Sequence, residues 1–504
     1  MSNPLSKGTA LACFFVVFSI ITGCASTHGI APQGKTLPGE ALATDAAIRD
    51  ADHDAQWPAA TWWQRYADPQ LDHWIDLALA DNPGLAQARA RVRAALAMAG
   101  AAEAAEAPQL NGELSLNRHH WPTDYFYGPG ELADTTTWNN NAVLGLSYAL
   151  DFWGREKNRS AQAEDLARMS AAEAQAARLE LEGNIVRAYV QLSLQYASRD
   201  VGVAMLAQQE HILALARRRE AGGLGTHFEV SQAEMPLPET RRKLAAIDED
   251  IAITRNQLAA LAGKGPGAAA SIVRPSLSLA QTPGLPTRLP LELVGHRPDV
   301  VASRWRVAAE ARSVDAAHAE FYPNIDLVAS LGYSAVGGGG MLDFLTGQKF
   351  NYGAGAALSL PILDGGRRRA QLGLRSANYD AAVAQYNQTL VGALRQISDE
   401  LIRARSLETQ AQFSAQGMDS AREAYALAER AYRGGLTDYL HVLNAQTRLF
   451  ESQLTEARVH SAQLAAQARL TIALGGGLVD DEDAPAEQEL KPETVSLRGS
   501  ATER

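Results

Sequence analysis

The stretch from Arg433 to Leu440 reads RGGLTDYL, and it decides the fold because the chain contains this turn twice. The other copy begins at Gly222-Gly223-Leu224, and its apolar neighbours are displaced from theirs by the same offset in numbering (434 − 222 = 212). Paired glycines after a run of helix formers supply the positive φ that ends a helix, and the apolar residue beyond them is expected to pack back on the last turn. Each copy therefore predicts helix, tight turn and helix, and the constant offset indicates an internal duplication.

A second set of matched residues has a slightly different offset. The segment from Pro83 to Pro108 returns as the segment from Pro298 to Pro323 (298 − 83 = 215). The second offset exceeds the first by three, and the difference falls between Pro108 and Leu146. Loops absorb changes of this size at little cost, so one duplication explains both sets.

After each of these segments the hydrophobic period changes from that of a helix to two. Apolar residues alternate with polar or small ones over four segments, 110–117, 143–150, 324–333 and 351–360. Four strands of about ten residues with one apolar face suit the wall of an outer-membrane barrel. A half-buried sheet in a soluble sandwich gives the same alternation, so the pattern alone leaves both interpretations open.

The number of strands constrains the membrane interpretation. Four strands cannot close a barrel around a lumen, because closure begins near eight strands and an open channel needs more. Unpaired sheet edges cannot face lipid. If these strands lie in a membrane, several copies of the chain must therefore share one barrel.

Each pair of strands leads into a long helical segment, predicted over residues 155–221 and 367–433. Both segments contain apolar positions in the 4,3 spacing of a coiled-coil seam. Shorter helices are predicted at 71–80, 81–107, 228–262 and 439–474, with Asp81 as the N-cap of the second and Pro83 in its first turn. Two short helices stacked end to end would match the length of a long one, which is about 100 Å.

The N-terminal segment has the features of a secreted lipoprotein. Lys7 is followed by an apolar run from Leu11 to Ile21, which is too short for a membrane span and has the length of a signal sequence. The run ends in ITGC at Cys24, which resembles a bacterial lipoprotein box with cleavage before Cys24 and lipid on its sulfur. A plain secretory signal with an incidental cysteine is the alternative. Several acyl chains on one cysteine would anchor the protein stably.

Composition and motifs disfavour several classes of function. The net charge of −11 argues against nucleic acid as a partner. The two cysteines, Cys13 and Cys24, lie in the first thirty residues, so we expect no metal centre built on cysteines. Residues 29–36 match a phosphate-binding loop by their letters, but neither a strand before them nor a helix after them is expected, so nucleotide binding is not predicted. With no catalytic motif in view, we expect neither an enzyme nor a cofactor.

In the order of its motifs the chain resembles the TolC-like outer-membrane efflux proteins, and among them the lipid-anchored branch that serves multidrug pumps. The resemblance covers nearly the whole mature chain. It is carried by Trp57-Pro58, Asp68-Pro69-Gln70-Leu71-Asp72, His296-Arg297-Pro298-Asp299, Phe321-Tyr322-Pro323 and the stretches 361–369, 432–446 and 474–477. It implies a homotrimer with a twelve-stranded barrel in the outer membrane, to which each chain gives four strands.

The predicted fold is therefore α+β and internally duplicated, with long antiparallel coiled-coil hairpins that form a periplasmic tunnel below the shared barrel. The expected segments are a signal peptide at 1–23, a lipid-anchored leader at 24–67, a first structural repeat at 68–262, a linker at 263–290, a second repeat at 291–477 and an acidic, polar tail at 478–504.

The resemblance also implies where partners bind. The two turns would form the periplasmic tip, where a membrane-fusion adaptor docks and an inner-membrane pump delivers substrate; their residues are Gly222, Gly223, Leu224, Gly434, Gly435 and Leu436. The helix after the second turn would narrow the tunnel, in the family often with a ring of aspartates. This chain departs from that pattern, because it has Asp438 near the turn and His441 and Asn444 further along. The equivalents in the first copy are Glu229 and Gln232.

His441 gives rise to a hypothesis about gating. Three symmetry-related imidazoles near the tunnel axis would repel one another when protonated and would favour opening. Packing of His441 against a neighbouring helix is the alternative. The implied function is an exit duct for drugs or other small toxic compounds, with a duct for type I protein secretion and a structural coiled-coil lipoprotein of the periplasm as alternatives.

Overall fold

The computed structural model describes residues 57–123, 132–278, 296–360 and 362–477, together with 27, 29–38, 42 and 46–49 of the N-terminal segment. The predicted signal peptide, Cys24 and the acidic tail lie outside the described residues, as does the end of the predicted linker. The chain forms two compact units, the first comprising residues 1–36, 91–171 and 302–387 and the second comprising 37–90, 172–301 and 388–504. Each unit contains segments of both predicted repeats, because the long helices run through both.

Long helices and one sheet dominate the described residues. In chain order the main elements are α1 Pro69–Asp81, α2 Pro83–Ala104, β1 Gln109–Trp121, β2 Thr135–Leu150, α3 Arg155–Ala221, α4 His227–Glu234, α5 Pro236–Leu261, α6 Pro298–Ala319, β3 Asn324–Gly338, β4 Phe350–Ser359, α7 Arg367–Arg433 and α8 Tyr439–Ala473. None of the described helices carries an apolar run of the length that crosses a membrane.

The bounds of these elements reproduce the offsets of the sequence. Helices α3 and α7 are both 67 residues long and are related by the first offset, as predicted (367 − 155 = 212). Helices α2 and α6 are both 22 residues long and are related by the second offset (298 − 83 = 215). The difference of three between the two offsets is therefore taken up between the start of each first strand and the start of each long helix.

The helix predicted over residues 228–262 is broken, so that prediction is wrong. α4 ends at Glu234 and α5 begins at Pro236, with Met235 between them. Pro236 and Pro238 have no amide hydrogen, so two hydrogen bonds of a continuous helix are missing at this point. The apolar period continues across this break, but the two prolines interrupt the helix.

The predicted N-cap of α2 is also wrong by one residue. Asn82 Oδ1 accepts a hydrogen bond from the amide of Leu85 at 3.1 Å, which makes Asn82 the cap. Asp81 is instead the last residue of α1, and its carboxylate pairs with Lys264 at 2.7 Å. Neighbouring Asp and Asn residues are equally good caps, so sequence alone could not choose between them.

The four strands form one antiparallel sheet in the order β1-β2-β3-β4. The register aligns apolar residues across all of them. One row consists of Leu110, Leu146, Ala329 and Ala354. The adjacent row on the opposite face consists of Asn111, Gly145, Ser330 and Gly353. The sheet thus has one apolar face and one face of small and polar residues.

The apolar face is exposed to the surroundings of the chain. Leu114 and Leu358, on the two edge strands, are exposed, and Tyr352 is 82% exposed. The strands have 13, 16, 15 and 10 residues, and about ten tilted residues are enough to cross a bilayer. A sheet that packed on a soluble core would bury this face, so the structure favours the membrane interpretation of the alternation.

In the first unit, the N-terminal segment packs along α7. Ile30 contacts the cluster formed by Phe321 and Leu372, and the amides of Gln33 and Gly34 donate hydrogen bonds to one oxygen of Asp380 at 2.8 and 2.6 Å. These amides belong to the stretch that resembles a phosphate-binding loop. Here their acceptor is a carboxylate of the same chain.

In the second unit, Asp68 links three segments. It caps α1 by accepting the amide of Gln70 at 2.9 Å, and its other oxygen accepts the Tyr189 hydroxyl at 2.9 Å and the Ser276 amide at 2.7 Å. Burial raises the pKa of Tyr189, so its hydroxyl stays a neutral donor. The carboxylate of Asp68 is itself buried, and its three hydrogen bonds replace the water it has lost.

Glu182 of α3 is a buried carboxylate in the same core. Its two oxygens accept hydrogen bonds from Trp62 Nε1 at 3.0 Å and from Arg178 Nε at 2.9 Å. Burial raises the pKa of Glu182, although both hydrogen bonds oppose the shift. The folded state therefore holds the Glu182 proton more tightly than the unfolded chain does. The resulting stabilisation is present at low pH and is lost as the pH rises through the folded-state pKa.

We predict that Glu182→Gln changes the pH dependence of stability. The thermal midpoint of the parent minus that of the variant should fall as the pH rises from 4.5, the ordinary pKa of a glutamate side chain, to 8. The measurement is thermal unfolding in detergent, followed by intrinsic fluorescence at each pH. The exposed neighbour Glu180→Gln is the matched control and should leave the profile unchanged. A difference that stays constant across this range would contradict the assignment.

Candidate functional site

The second glycine turn ends α7 and begins α8. The amide of Gly434 donates to the carbonyl of Arg430 at 3.1 Å, and the amide of Leu436 donates to that of Ala431 at 2.9 Å. Gly435 has φ +75°, the left-handed conformation that glycine adopts without strain. These features are those of a Schellman motif, as the glycine pair predicted.

The first turn, between α3 and α4, repeats this geometry. The amide of Leu224 donates to the carbonyl of Arg219 at 2.8 Å, and Gly223 has φ +71°. The helix that follows is capped by Thr226, which forms a capping box with Glu229. Asp438 caps α8 at the position that matches Thr226 in the duplication. The duplicated turns therefore agree in their hydrogen bonds, their dihedral angles and the place of their caps.

The leucines of the two turns are exposed, which corrects the sequence analysis. Leu224 is 75% exposed and Leu436 is 84% exposed, so neither packs back on its helix. Each turn thus presents a large apolar side chain to the surroundings at a backbone position fixed by hydrogen bonds.

A buried cluster supports both turns from beneath. Tyr432 and Tyr439, at the two ends of the second turn, pack with Val230 and Ala233 of α4 and Ile212 of α3. Their rings lie 6.2 Å apart between centroids, and burial raises the pKa of Tyr439 to about 12. The hydroxyl therefore stays neutral at any physiological pH. The cluster joins the ends of the two hairpins and fixes the position of one turn relative to the other.

Two of the predicted constriction residues are in contact. Asp438 Oδ1 lies 2.7 Å from His441 Nδ1 and also accepts the His441 amide at 3.3 Å. The hydrogen bond from the His441 side chain, followed by that from its amide, lowers the pKa of Asp438. Asn444 is exposed one turn further along the same face of α8. The His441 side chain is 70% exposed, so it does not pack against a helix of its own chain.

The first-copy equivalents of these residues are used differently. Glu229 accepts the Thr226 amide and is therefore part of the cap of α4. Gln232, at the place that matches Asn444, is half-buried. The two turns are thus alike in backbone, whereas the side chains one turn beyond them differ in role.

Sequence analysis missed a groove beside the first turn. It has a volume of about 380 Å³ and lies between α3 and the start of α5, with Leu213 and Leu237 in its floor. Arg217 pairs with Glu234 at 3.1 Å, and a second pair joins Arg241 to Glu210 at 2.9 Å along its rim. Residues so far apart in the chain give no local signal. An apolar floor with a charged rim is the usual anatomy of a protein-binding surface.

Within the described ranges, no group of three or more metal-binding side chains lies together. The arrangement consists of exposed turns, an uncompleted sheet and ion-paired grooves. These features can bind proteins and line a passage.

Comparison with known proteins assigns the family. The chain matches the family described as "Outer membrane efflux protein" over residues 74–264 and 289–476, and it belongs to that family. The family consists of transport channels and not of enzymes. The chain is thus an outer-membrane efflux channel with its helical part in the periplasm.

Individual relatives extend this assignment. The chain is 52% identical over 377 residues to the fusaric acid resistance protein FusA of Burkholderia cepacia, an alignment that covers 75% of this chain and 71% of that protein. It is 30% identical over 479 residues to the multidrug resistance outer membrane protein MdtP of Shigella flexneri, with 91% and 94% of the two chains covered.

Solved structures resemble the chain along most of its length. The outer membrane protein VceC of Vibrio cholerae is 35% identical, with a TM-score of 0.78 over 84% of this chain and all of that one. The CmeC outer membrane channel of Campylobacter jejuni has a TM-score of 0.82 over 91% of this chain and 97% of its own; at 19% identity it supports the fold alone.

We predict that the two glycines of the second turn differ in their tolerance of a side chain. A Cβ on Gly435 would meet no atom within 4 Å but would have to adopt positive φ, whereas a Cβ on Gly434 would meet only ordinary contacts, the nearest being the Arg430 carbonyl at 3.5 Å. Gly435→Ala should therefore lose about 1–2 kcal/mol of stability. Gly434→Ala, the matched control, should lose much less. Thermal unfolding of both variants checks this, and equal losses would contradict the role of the left-handed residue.

Proposed function

We propose that the chain is the outer-membrane exit duct of a tripartite efflux system, in which three copies share one twelve-stranded barrel. The observation that carries the proposal is the four-stranded sheet with an exposed apolar face. Its edge strands, β1 and β4, have no further strand beside them within the described residues. Backbone groups on such edges cannot be left unpaired in lipid, so neighbouring copies must supply their hydrogen bonds.

The geometry of closure supports three copies. Strands alternate in direction through the sheet, so β4 of one copy meets β1 of the next in the antiparallel sense. Two copies would give about eight strands, whose interior is filled by side chains, while three leave a lumen. The inner face of the sheet is lined by small and polar residues, among them Gly145, Ser330 and Gly353. Such residues keep a water-filled passage open.

The two turns are the proposed docking site for a periplasmic adaptor, through which an inner-membrane pump delivers its substrate. Leu224 and Leu436 offer exposed apolar side chains, and the groove between α3 and α5 adds ion-paired polar groups close to the first turn. An adaptor that inserts apolar side chains beside these leucines would gain hydrophobic area on a rigid backbone. The relatives are resistance proteins for fusaric acid and for multiple drugs, so we propose small toxic compounds as the exported class.

The lipid anchor at Cys24 is supported by the packing of the leader. Ile30 packs against the cluster that contains Leu372, a residue five positions from the start of α7, and α7 begins at the end of the sheet where β4 ends. Cys24 precedes Ile30 by six residues, which span at most about 20 Å when extended. A lipid on Cys24 would therefore reach the same bilayer surface as the strands.

Complementation of a deletion strain tests the function. Expression of the parent should restore resistance to fusaric acid or other drugs, and Leu224→Ala/Leu436→Ala should not, because the adaptor loses its apolar contacts. The conservative Leu224→Met/Leu436→Met is the control and should retain resistance. Trimers that resist detergent should form in all three proteins. Full resistance with the alanine pair would exclude the leucines from docking, and a monodisperse single-copy protein would exclude the shared barrel.

The same strain tests the anchor. Cys24→Ala should lower resistance while trimers still form, because the strands insert without it. Full resistance in this variant would show that the anchor is dispensable for export.

We also propose that His441 makes the duct sensitive to pH, in a form modified by its contact with Asp438. The carboxylate compensates part of the charge on a protonated imidazole, which weakens the repulsion among three copies. Asp438→Asn removes this compensation and keeps a good N-cap for α8.

Single-channel recordings in planar bilayers between pH 5 and 8 provide the test. As the pH falls, the open probability should rise in the parent and stay unchanged in His441→Ala, and the response of Asp438→Asn should differ from that of the parent because the charge facing the imidazole is gone. Identical responses in the three proteins would end the hypothesis without affecting the proposed duct.

A further inference from the structure

The sheet register brings four helix–strand connections to one end of the sheet. One of them, residues 105–108, contains Glu106 and no basic residue, and the basic residues lie among the other three. Leu150 at the end of β2 pairs with Ile325 at the start of β3, which pairs with Leu358 near the end of β4. Residues 151–159, 320–323 and 362–369 therefore emerge at one end of the sheet. We call them together the junction surface. All of it lies in the first compact unit.

The junction surface continues the apolar face of the sheet. Phe152 and Ile362 are exposed, and Leu363 is 93% exposed. The rings of Trp153 and Tyr322 stack with centroids 4.6 Å apart, and Trp153 Nε1 donates to the carbonyl of Pro323 at 2.9 Å. An ordered aromatic pair with an apolar body and polar tips has the character of side chains found at the boundary between hydrocarbon and water.

Cations lie directly beside these apolar residues. The junction surface contains six lysine or arginine residues and four acidic ones, although acidic residues outnumber basic ones by 57 to 46 in the whole chain. Three of the four acids form ion pairs: Glu156 and Glu320 pair with Arg159, and Asp364 pairs with Arg368. The fourth, Asp151, accepts the amide of Lys157 at 2.8 Å and so caps the start of α3. Among the described residues, no ion pair is formed by Lys157 or Arg367, and both side chains are exposed.

The position of Arg367 is unfavourable for helix stability. Arg367, Arg368 and Arg369 form the first turn of α7, where a positive charge opposes the helix dipole and an acidic residue would be favourable. Asp364 already accepts the amides of Gly366 and Arg368 at 3.0 and 3.2 Å, so this end of the helix is capped. Arg368 pairs with Asp364, so Arg367 is the residue of this turn that fits an external anion close to an apolar surface.

We propose that the junction surface binds the phosphate headgroups of anionic phospholipids in the leaflet that faces the periplasm. Lys157 and Arg367 contact the headgroup, while Trp153 and Tyr322 lie at the level where headgroup meets acyl chain. The inference rests on the proposed membrane barrel, because only a bilayer around the sheet brings lipid to this level. Apolar residues that continue the lipid-facing wall and end in exposed cations complement such a lipid in both shape and charge.

Native mass spectrometry of the full-length protein tests the proposal. The protein is incubated in detergent with equal amounts of phosphatidylglycerol and phosphatidylethanolamine of the same acyl chains, and the lipids retained per trimer are counted. The parent should prefer phosphatidylglycerol by on the order of tenfold, as expected for two cations near a lipid phosphate. Lys157→Gln/Arg367→Gln should lose the preference. Trp153→Ala should lower the retention of both lipids and leave the preference intact.

The control variant is Lys243→Gln/Arg422→Gln. It removes the same charge from two exposed residues of α5 and α7 in the second compact unit, and it should keep the preference. Equal retention of the two lipids by the parent would overturn the proposal. A preference that survives in Lys157→Gln/Arg367→Gln would also overturn it. Dissociation of that variant's trimers with the preference intact would do the same, because the two residues would then contact a second copy of the chain and not lipid.

Conductance of the parent in planar bilayers distinguishes a failure of this inference from a failure of the proposed exit duct. A conducting trimer without lipid preference would refute the junction surface alone. A parent that neither conducts nor forms trimers would refute the proposed duct.

Discussion

The need to pair every backbone amide and carbonyl in a lipid environment underlies the rest of the structure. Water is absent there, and each unpaired group costs several kcal/mol. A four-stranded sheet with an apolar outer face leaves two edges for which one chain has no partner among its described residues. The chain cannot solve this problem by itself. In the proposed shared barrel, association with further copies is thus a condition of the fold in the membrane.

Much of the helical part could be predicted from local signals in the sequence. The bounds of α3 and α7 follow from glycines at their ends, such as Gly154 and Gly366, which both have positive φ. The duplication supports these bounds, because each end of α3 recurs at the same offset as an end of α7. The strands were placed by their period, and the structure extends them by several residues into the loops.

The failures have physical reasons as well. The break at Met235 depends on two prolines whose effect competes with a strong apolar period. The exposure of Leu224 and Leu436 could not be predicted, because packing on the last turn and exposure to a partner use the same residue type. The contact of His441 with Asp438 has a spacing of three residues at the start of one helix, which the sequence shows; both were predicted to line the constriction, and a contact between them was not predicted. The groove beside the first turn depends on tertiary pairing alone.

The leader of the chain has a mechanical consequence. Its residues from Ile30 to Lys35 are fastened to α7 at three levels: Ile30 against Leu372, the amide of Gly34 on Asp380, and the Lys35 carbonyl on Asn387. A pulling force on the N-terminus, directed along the helix, would load these three contacts together in shear. It would not break them one after another. A force applied at the N-terminal end of the leader is therefore transmitted to α7, the longest helix in the second half of the chain.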